Sequence, residues 1–210
     1  MNRILALLLL FSLLMPVRYI FAGQSESSFS LNGGYFTPRM DGWESHFDDS
    51  SLWTGGVEFG SKLTERLELS LGLNYSKVEG TATTLTGRTS SDKSTYEHIP
   101  VQLSISYRFL FEEGQVIVPY IGGGYTHLIY REKINDNKIS GDLTGYHARG
   151  GLQVLLDYFD SETAKDFSSD WEVINTYLTF EAVYSKVDDF GKKDTDLGGL
   201  GYMAGLRFEY

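Results

Sequence analysis

Apolar and polar positions alternate along most of this chain, and the period of the alternation is two. The clearest run sets Leu67, Leu69, Leu71, Leu73 and Tyr75 against Glu68, Ser70, Gly72, Asn74 and Ser76. A second sets Ile99, Val101, Leu103, Ile105, Tyr107 and Phe109 against His98, Gln102, Ser104, Ser106 and Arg108. Successive side chains of a strand point to opposite sides, so this period marks strands with one apolar face. Six further segments carry it, near 29–37, 53–63, 118–132, 143–158, 172–187 and 200–210. Convincing helical periodicity is missing. Soluble strands centre near about 5 or 6 residues, while strands that cross a bilayer need roughly 9 to 11. An even number of long alternating strands predicts a transmembrane barrel.

The connections point the same way. Thr64 to Arg66 reads as a tight turn and Leu110 to Val116 as a short one. Pro38 to Leu52 and Glu79 to Thr95 read as long polar loops. Short periplasmic turns and long outer loops alternate in such barrels. The stretch from Phe159 to Trp171 breaks the rule, being long and acidic where a short turn is expected; Glu162 to Phe167 could form a helical turn or two.

Alternation does not say which face is wet. Three features place the apolar face toward lipid. Rings gather on the apolar faces and near strand ends: Tyr35, Trp53, Tyr75, Tyr107, Phe109, Tyr120, Tyr130, Tyr146, Tyr158, Tyr184, Phe208 and Tyr210. Girdles of this kind mark membrane barrels. The polar face is rich in Gly and Ser, with isolated charges at Glu58, Arg149 and Glu181. Eight strands leave an interior wide enough for side chains and little else, so these charges must pair, with Arg108, Arg149 and Arg207 as partners for Glu58, Glu68 and Glu181. The sequence also stops inside its last strand, at Arg207-Phe208-Glu209-Tyr210.

The remaining features narrow the class. Asn2-Arg3, an apolar run from Ile4 to Met15 and Ala22-Gly23 follow the order of a secretory signal peptide, so residues 1–22 are expected to be removed and 23–210 to fold. The apolar run is too short to span a bilayer as a helix, and no other comes near. Without Arg3 and Arg18 the chain has 16 basic and 28 acidic residues, a net charge of −12. Nucleic acid is excluded as a partner on that balance. There is no cysteine, hence no disulfide, thiolate metal site or lipid-anchoring cysteine. Acid clusters at 41–49, 160–170 and 188–196 lack the spacing of a calcium loop and read as solvated tips.

The C-terminal Met203-Ala-Gly-Leu-Arg-Phe-Glu-Tyr210 resembles the signal that barrel-assembly machinery reads, with Gly205, Phe208 and Tyr210 on the pattern. Tyr stands there for the usual terminal Phe, and Met203 for a polar residue. With Pro119-Tyr-Ile-Gly-Gly-Gly-Tyr125 and Ile99-Pro-Val-Gln-Leu103, the chain resembles the small outer-membrane β-barrel domain family of the OmpA/OmpX type, over about Phe29 to Tyr210. The resemblance implies a barrel in the outer membrane of a double-membraned bacterium, in contact with lipid and lipopolysaccharide, its loops outside. It implies no single activity.

The histidines offer one candidate pair for chemistry. His127 and His147 are expected as neighbours in the outer half of the interior, but neither has a serine in the spacing of a lipid A deacylase, nor carboxylates for a metal. Gly122-Gly-Gly124 lacks the Lys-Ser/Thr and helix of a phosphate loop and reads as strand. The expectation is therefore an all-β, eight-stranded antiparallel up-and-down transmembrane barrel, apolar face to lipid, narrow polar interior. No catalytic, metal or cofactor residue is assigned. Its role is structural or surface interaction through the outer loops, with an unknown outside partner. A narrow conduit for ions or small hydrophobic solutes is the alternative, and a lipid-modifying enzyme a third.

Overall fold

A computed structural model describes residues 27–40, 43, 51–83, 89–112, 114–134, 137–159 and 169–210. Eight strands follow in order: β1 Ser27–Pro38, β2 Leu52–Lys62, β3 Leu67–Thr83, β4 Thr89–Arg108, β5 Ile117–Ile134, β6 Asn137–Leu155, β7 Asn175–Val187 and β8 Gly199–Glu209. Each pairs antiparallel with the next, and β8 closes on β1. No edge remains inside the closed part, which is what hydrocarbon demands of a backbone. The leader expected at 1–22 lies outside the described residues.

The predicted faces hold in seven strands, while β5 is turned the other way, with Tyr120 and Leu128 inside and Tyr125 outside. Leu31, Tyr35, Trp53, Phe59, Leu73, Tyr75, Ile105, Tyr146, Leu152, Phe180, Tyr202 and Leu206 are large, apolar and exposed on the outside. Their alternates, such as Ser30, Thr54, Glu68, Ser70, Ser104 and Arg207, are buried in the lumen. Rings pack together on the outer face, with the Tyr35 and Trp53 centroids 3.9 Å apart and the planes tilted at 46°. From Leu67 to Tyr75 the apolar face of β3 covers roughly 20 Å along the barrel axis, close to the about 25 Å band of such proteins.

Two of the rings expected outside lie inside. Tyr120 is 5% exposed, and Tyr130 packs over Gly141 next to the buried Leu128. Tyrosine is amphipathic, so its ring fits either face, and here its register on β5 decides. The long outer loop expected at Glu79 to Thr95 is mostly strand, since β3 and β4 stay paired up to Thr83↔Thr89. β5 and β6 stay paired up to Ile134↔Asn137. The four strands β3 to β6 hold 17, 20, 18 and 19 residues, against 12, 11, 13 and 11 for β1, β2, β7 and β8. The outer rim is thus slanted, with a four-stranded wall on one side. Of the long acidic connection, 169–171 are helical. The turns expected at Glu162 to Phe167 lie outside the described residues, as do the acid clusters at 41–49 and most of 160–170.

Candidate functional site: the barrel lumen and its outer rim

The lumen is filled in layers. At the periplasmic end, Arg207 of β8 grips Glu68 of β3 with two parallel hydrogen bonds, one of them 2.9 Å. Glu209 accepts from Arg207 at 3.1 Å, from Lys62 of β2 at 2.8 Å, and pairs with Arg108 of β4 at 2.9 Å. Ser28 donates to Glu68 at 3.2 Å, and the Arg108 guanidinium lies over the Tyr177 ring. Gly60 makes this possible, because a Cβ there would overlap the Glu68 carboxylate and the Ser28 hydroxyl.

One layer up, Arg149 of β6 forks onto Glu58 of β2, with the second bond at 2.8 Å. Its Nε lies 3.3 Å from Glu181 of β7, which also accepts from the Tyr120 hydroxyl at 2.7 Å. Across both layers Lys62, Arg108, Arg149 and Arg207 balance Glu58, Glu68, Glu181 and Glu209, so these paired layers are neutral. All six expected members of the network meet here. Glu58 pairs with Arg149, Glu68 with Arg207 and Glu181 with Arg149, but Arg108 takes Glu209, which sequence reasoning passed over along with Lys62 and Tyr120. Glu209 lies on the polar face, yet nothing local ties it to strands β2 and β4.

Above the ions, His147 bridges Ser104 (2.8 Å) and Thr126 (2.9 Å). His127 does not join it. It sits at an odd position of β5, pairs with Thr144 and faces outward, 4.0 Å from Asp142. The Ser104–His147 contact is buried, and the other ring nitrogen meets the Thr126 hydroxyl rather than a carboxylate. At the outer mouth the lumen turns apolar. Phe36, Trp43, Leu52, Val78 and Tyr96 form one cluster and Leu128, Leu143, Val187 and Leu197 another, joined by Met40 and Tyr130. The polar interior therefore stops short of the mouth.

Among the described residues the lumen leaves small cavities, one of ≈ 20 Å³ beside His98 and Gln102 and one of ≈ 30 Å³ beside Arg149 and Gln153. A single water needs roughly 10–15 Å³, so each has room for one or two waters and is too small for a larger solute. Unsatisfied Asn74 Oδ1 and His98 Nδ1 face the first, and Asn32 Oδ1, Gln153 Oε1 and Arg149 Nε the second, which is the donor and acceptor mix a buried water bridges.

At the rim, acids are spent on loop structure. Asp196 Oδ1 accepts from the backbones of Val187 (2.8 Å) and Gly198 (2.9 Å). Asp189 accepts from Thr144 N–H at 2.8 Å, and Asp188 from Gly191 N–H at 2.8 Å. Asp189, Phe190 and Gly191 take positive φ of 54°, 58° and 80° to turn the chain. Among the described residues no group of three or more His, Asp or Glu is placed to hold a metal. The Gly191 N–H, then Lys186, holds the Asp188 carboxyl below its ordinary range. A carboxyl depressed on folding stabilises above its unfolded pKa and stops doing so as pH falls through the folded one. The loop's amide signals should therefore persist through the usual carboxylate range and shift only below it, read by NMR against Asp188→Asn.

The sequence model of the outer-membrane protein β-barrel domain matches residues 4–208. The chain belongs to that family. Comparison with curated proteins returns no match. Among solved structures, OprG of Pseudomonas aeruginosa is similar at a TM-score of 0.62 and 14% identity, covering 90% of this chain and 98% of that one. Ail of Yersinia pestis, in complex with the heparin analogue sucrose octasulfate, is similar at 0.55 and 14%, covering 90% and 100%. The β-barrel domain of OprF from Pseudomonas aeruginosa is similar at 0.51 and 16%, covering 89% and 100%. At these identities the likeness is one of fold.

Proposed function

We propose that this outer-membrane barrel is a surface-contact protein whose working part is the four-stranded wall of β3 to β6, and that it does not conduct. The slanted rim carries the reading: the four wall strands outrun their neighbours over a lumen filled with ion pairs below and rings above. Residues 1–22 act as its export signal, and Gly205, Phe208 and Tyr210 as the strand signal for assembly. Lys77 and Arg131 lie beyond the Tyr75 and Tyr125 rings on the same outward faces and Lys186 stands opposite Tyr146, each beside an acid (Glu79, Glu97 and Asp188) that an anionic sugar would have to displace. Ail's sulfated ligand is a precedent for anionic sugars on a barrel of this shape. No catalytic step is assigned to the lumen.

A narrower reading keeps a route for small hydrophobic solutes through the side of the barrel. Pairing of β3 with β4 passes from Leu73↔Val101 to Ser76↔His98, skipping the positions beside Pro100, which has no N–H to give. The smaller cavity lies behind this gap. Planar-bilayer recording separates the two readings from an ion channel: the surface-contact reading expects no conductance steps from refolded protein and binding of lipopolysaccharide that weakens several-fold in Arg131→Glu. Steady conductance by the wild-type chain would overturn it. Uptake of an apolar dye into proteoliposomes that is lost in Pro100→Ala would favour the lateral route.

A further inference from the structure

The wall has an edge. β7 stops pairing with β6 at Gly145↔Val187, and Asp189 then takes over Thr144, donating its N–H to the Thr144 carbonyl at 2.8 Å and accepting the Thr144 N–H. Thr144 therefore aims its backbone groups away from β5. So do Asp142, Ser140 and Lys138, two residues apart along the same strand. β7 no longer covers that side, and Asn137 to Ser140 and Asp142 are exposed. Exposed edges of this kind accept another strand.

The edge is complementary to itself. A two-fold axis through Ser140 sets β6 antiparallel to a second β6, with Ser140 opposite Ser140, Lys138 opposite Asp142 and Asp142 opposite Lys138. These are the residues whose backbone groups face the edge, so the hydrogen-bonding parity agrees with the charge pairing. On the outward side two Lys–Asp pairs form. Within its own sheet Lys138 stands directly opposite Lys133, a like-charge pair that an acid on the far side relieves. On the inward side Ile139, 56% exposed, comes to lie over the partner's Gly141 beside Tyr130, where a glycine leaves room.

We infer that the β6 edge at Lys138–Asp142 binds the same edge of a second copy of this chain. Antiparallel strands reverse the barrel, so the second copy stands in an apposed membrane. Ser140 lies six residues above Tyr146 of the outer girdle, about 15 Å along the axis at roughly 3.3 Å per residue and a tilt near 40°. The two membrane surfaces would then be about 30 Å apart. The inference rests on the wall being a contact surface and names its partner.

The test is clustering of liposomes carrying the refolded chain, followed by turbidity and by the gap seen in electron micrographs. Wild-type liposomes are expected to cluster. Lys138→Asp and Asp142→Lys should each lose clustering alone, because each opposes like charges twice, and should cluster when mixed, because acid then meets base at both positions. Ser140→Pro, which removes an edge-facing N–H and leaves the β5 ladder intact, should also lose it. Heat-shifted gel mobility confirms that each variant folds. Folded wild-type chain that does not cluster, or single variants that cluster as it does, would overturn the inference. If folded wild-type liposomes bind lipopolysaccharide without clustering, the contact reading stands and this partner is wrong.

Discussion

Arg207→Glu is expected to abolish the heat-modifiable fold, and Glu68→Arg added to it is expected to recover much of what was lost. The reason is the register of the closing strand. Slipping β8 by one residue turns its apolar face inward, and hydrophobicity alone forbids that. Slipping it by two keeps every face correct. Only the lumen charges then distinguish right from wrong: Glu209 would stand where Arg207 stands, facing Glu68, or Gly205 would stand there and leave Glu68 unpaired. The side chains involved are among the least exposed of the molecule, Glu68 at 2%, Arg207 at 3% and Glu209 at 1%. Removing one member of a buried pair costs about 3–5 kcal/mol, and reversal adds repulsion to that loss. Arg207→Glu puts a third carboxylate beside Glu68 and Glu209. The double variant returns a cation to position 68, within reach of both the introduced carboxylate and Glu209. Those two carboxylates still neighbour each other on β8, so recovery is partial. Gel mobility before and after heating reads folding, and the midpoint of that shift ranks the variants. A double variant no better folded than Arg207→Glu would mean that the pair does not set the register.

Much of this was legible in the sequence because the membrane imposes a simple rule. Where one face meets lipid and the other a packed lumen, as along Leu67 to Ser76, each residue type names its side. The rule fails where both environments accept a side chain. Tyr120 looks like a girdle ring, yet its hydroxyl serves Glu181. The glycines at 122–124 carry no face, so the parity that sends His127 outward and His147 inward was hidden between them. In the real register Gly124 sits so close to β4 that a Cβ would overlap the Leu103 carbonyl. The wall escaped because residues 89–95 are polar throughout, so the alternation that marks a strand in the lipid band is missing there even though the backbone stays paired. The partner of Arg108 escaped for a different reason. Arg108 and Glu209 are far apart in sequence and meet across the lumen, a distance that no spacing along either strand encodes.

Arg149 provides the second large effect, because its guanidinium is the only cation contacting both Glu58 and Glu181 among the described pairs. Arg149→Met should leave two carboxylates facing each other in the middle of the lumen, and the heat-modification midpoint should fall by an amount comparable to about 3–5 kcal/mol. The triple variant Arg149→Met, Glu58→Gln, Glu181→Gln removes the charges together, and most of the stability should return, since a buried ion cluster and a well-packed neutral set of similar volume are often close in energy. The same series asks whether the layer is also a seal. One small cavity lies against Arg149 itself and another nearer the mouth, beside His98. Replacing the three residues by alanine should widen the first into a wet pocket that ends at the Arg207 layer below and at Phe36 and Trp43 above. Proteoliposomes should therefore stay tight to ions, with the added water visible as faster exchange of the Tyr120 hydroxyl proton. Ion leakage through that alanine variant, with the fold intact by gel mobility, would mean that the middle layer alone closes the barrel and that the outer rings and the Arg207 layer do not.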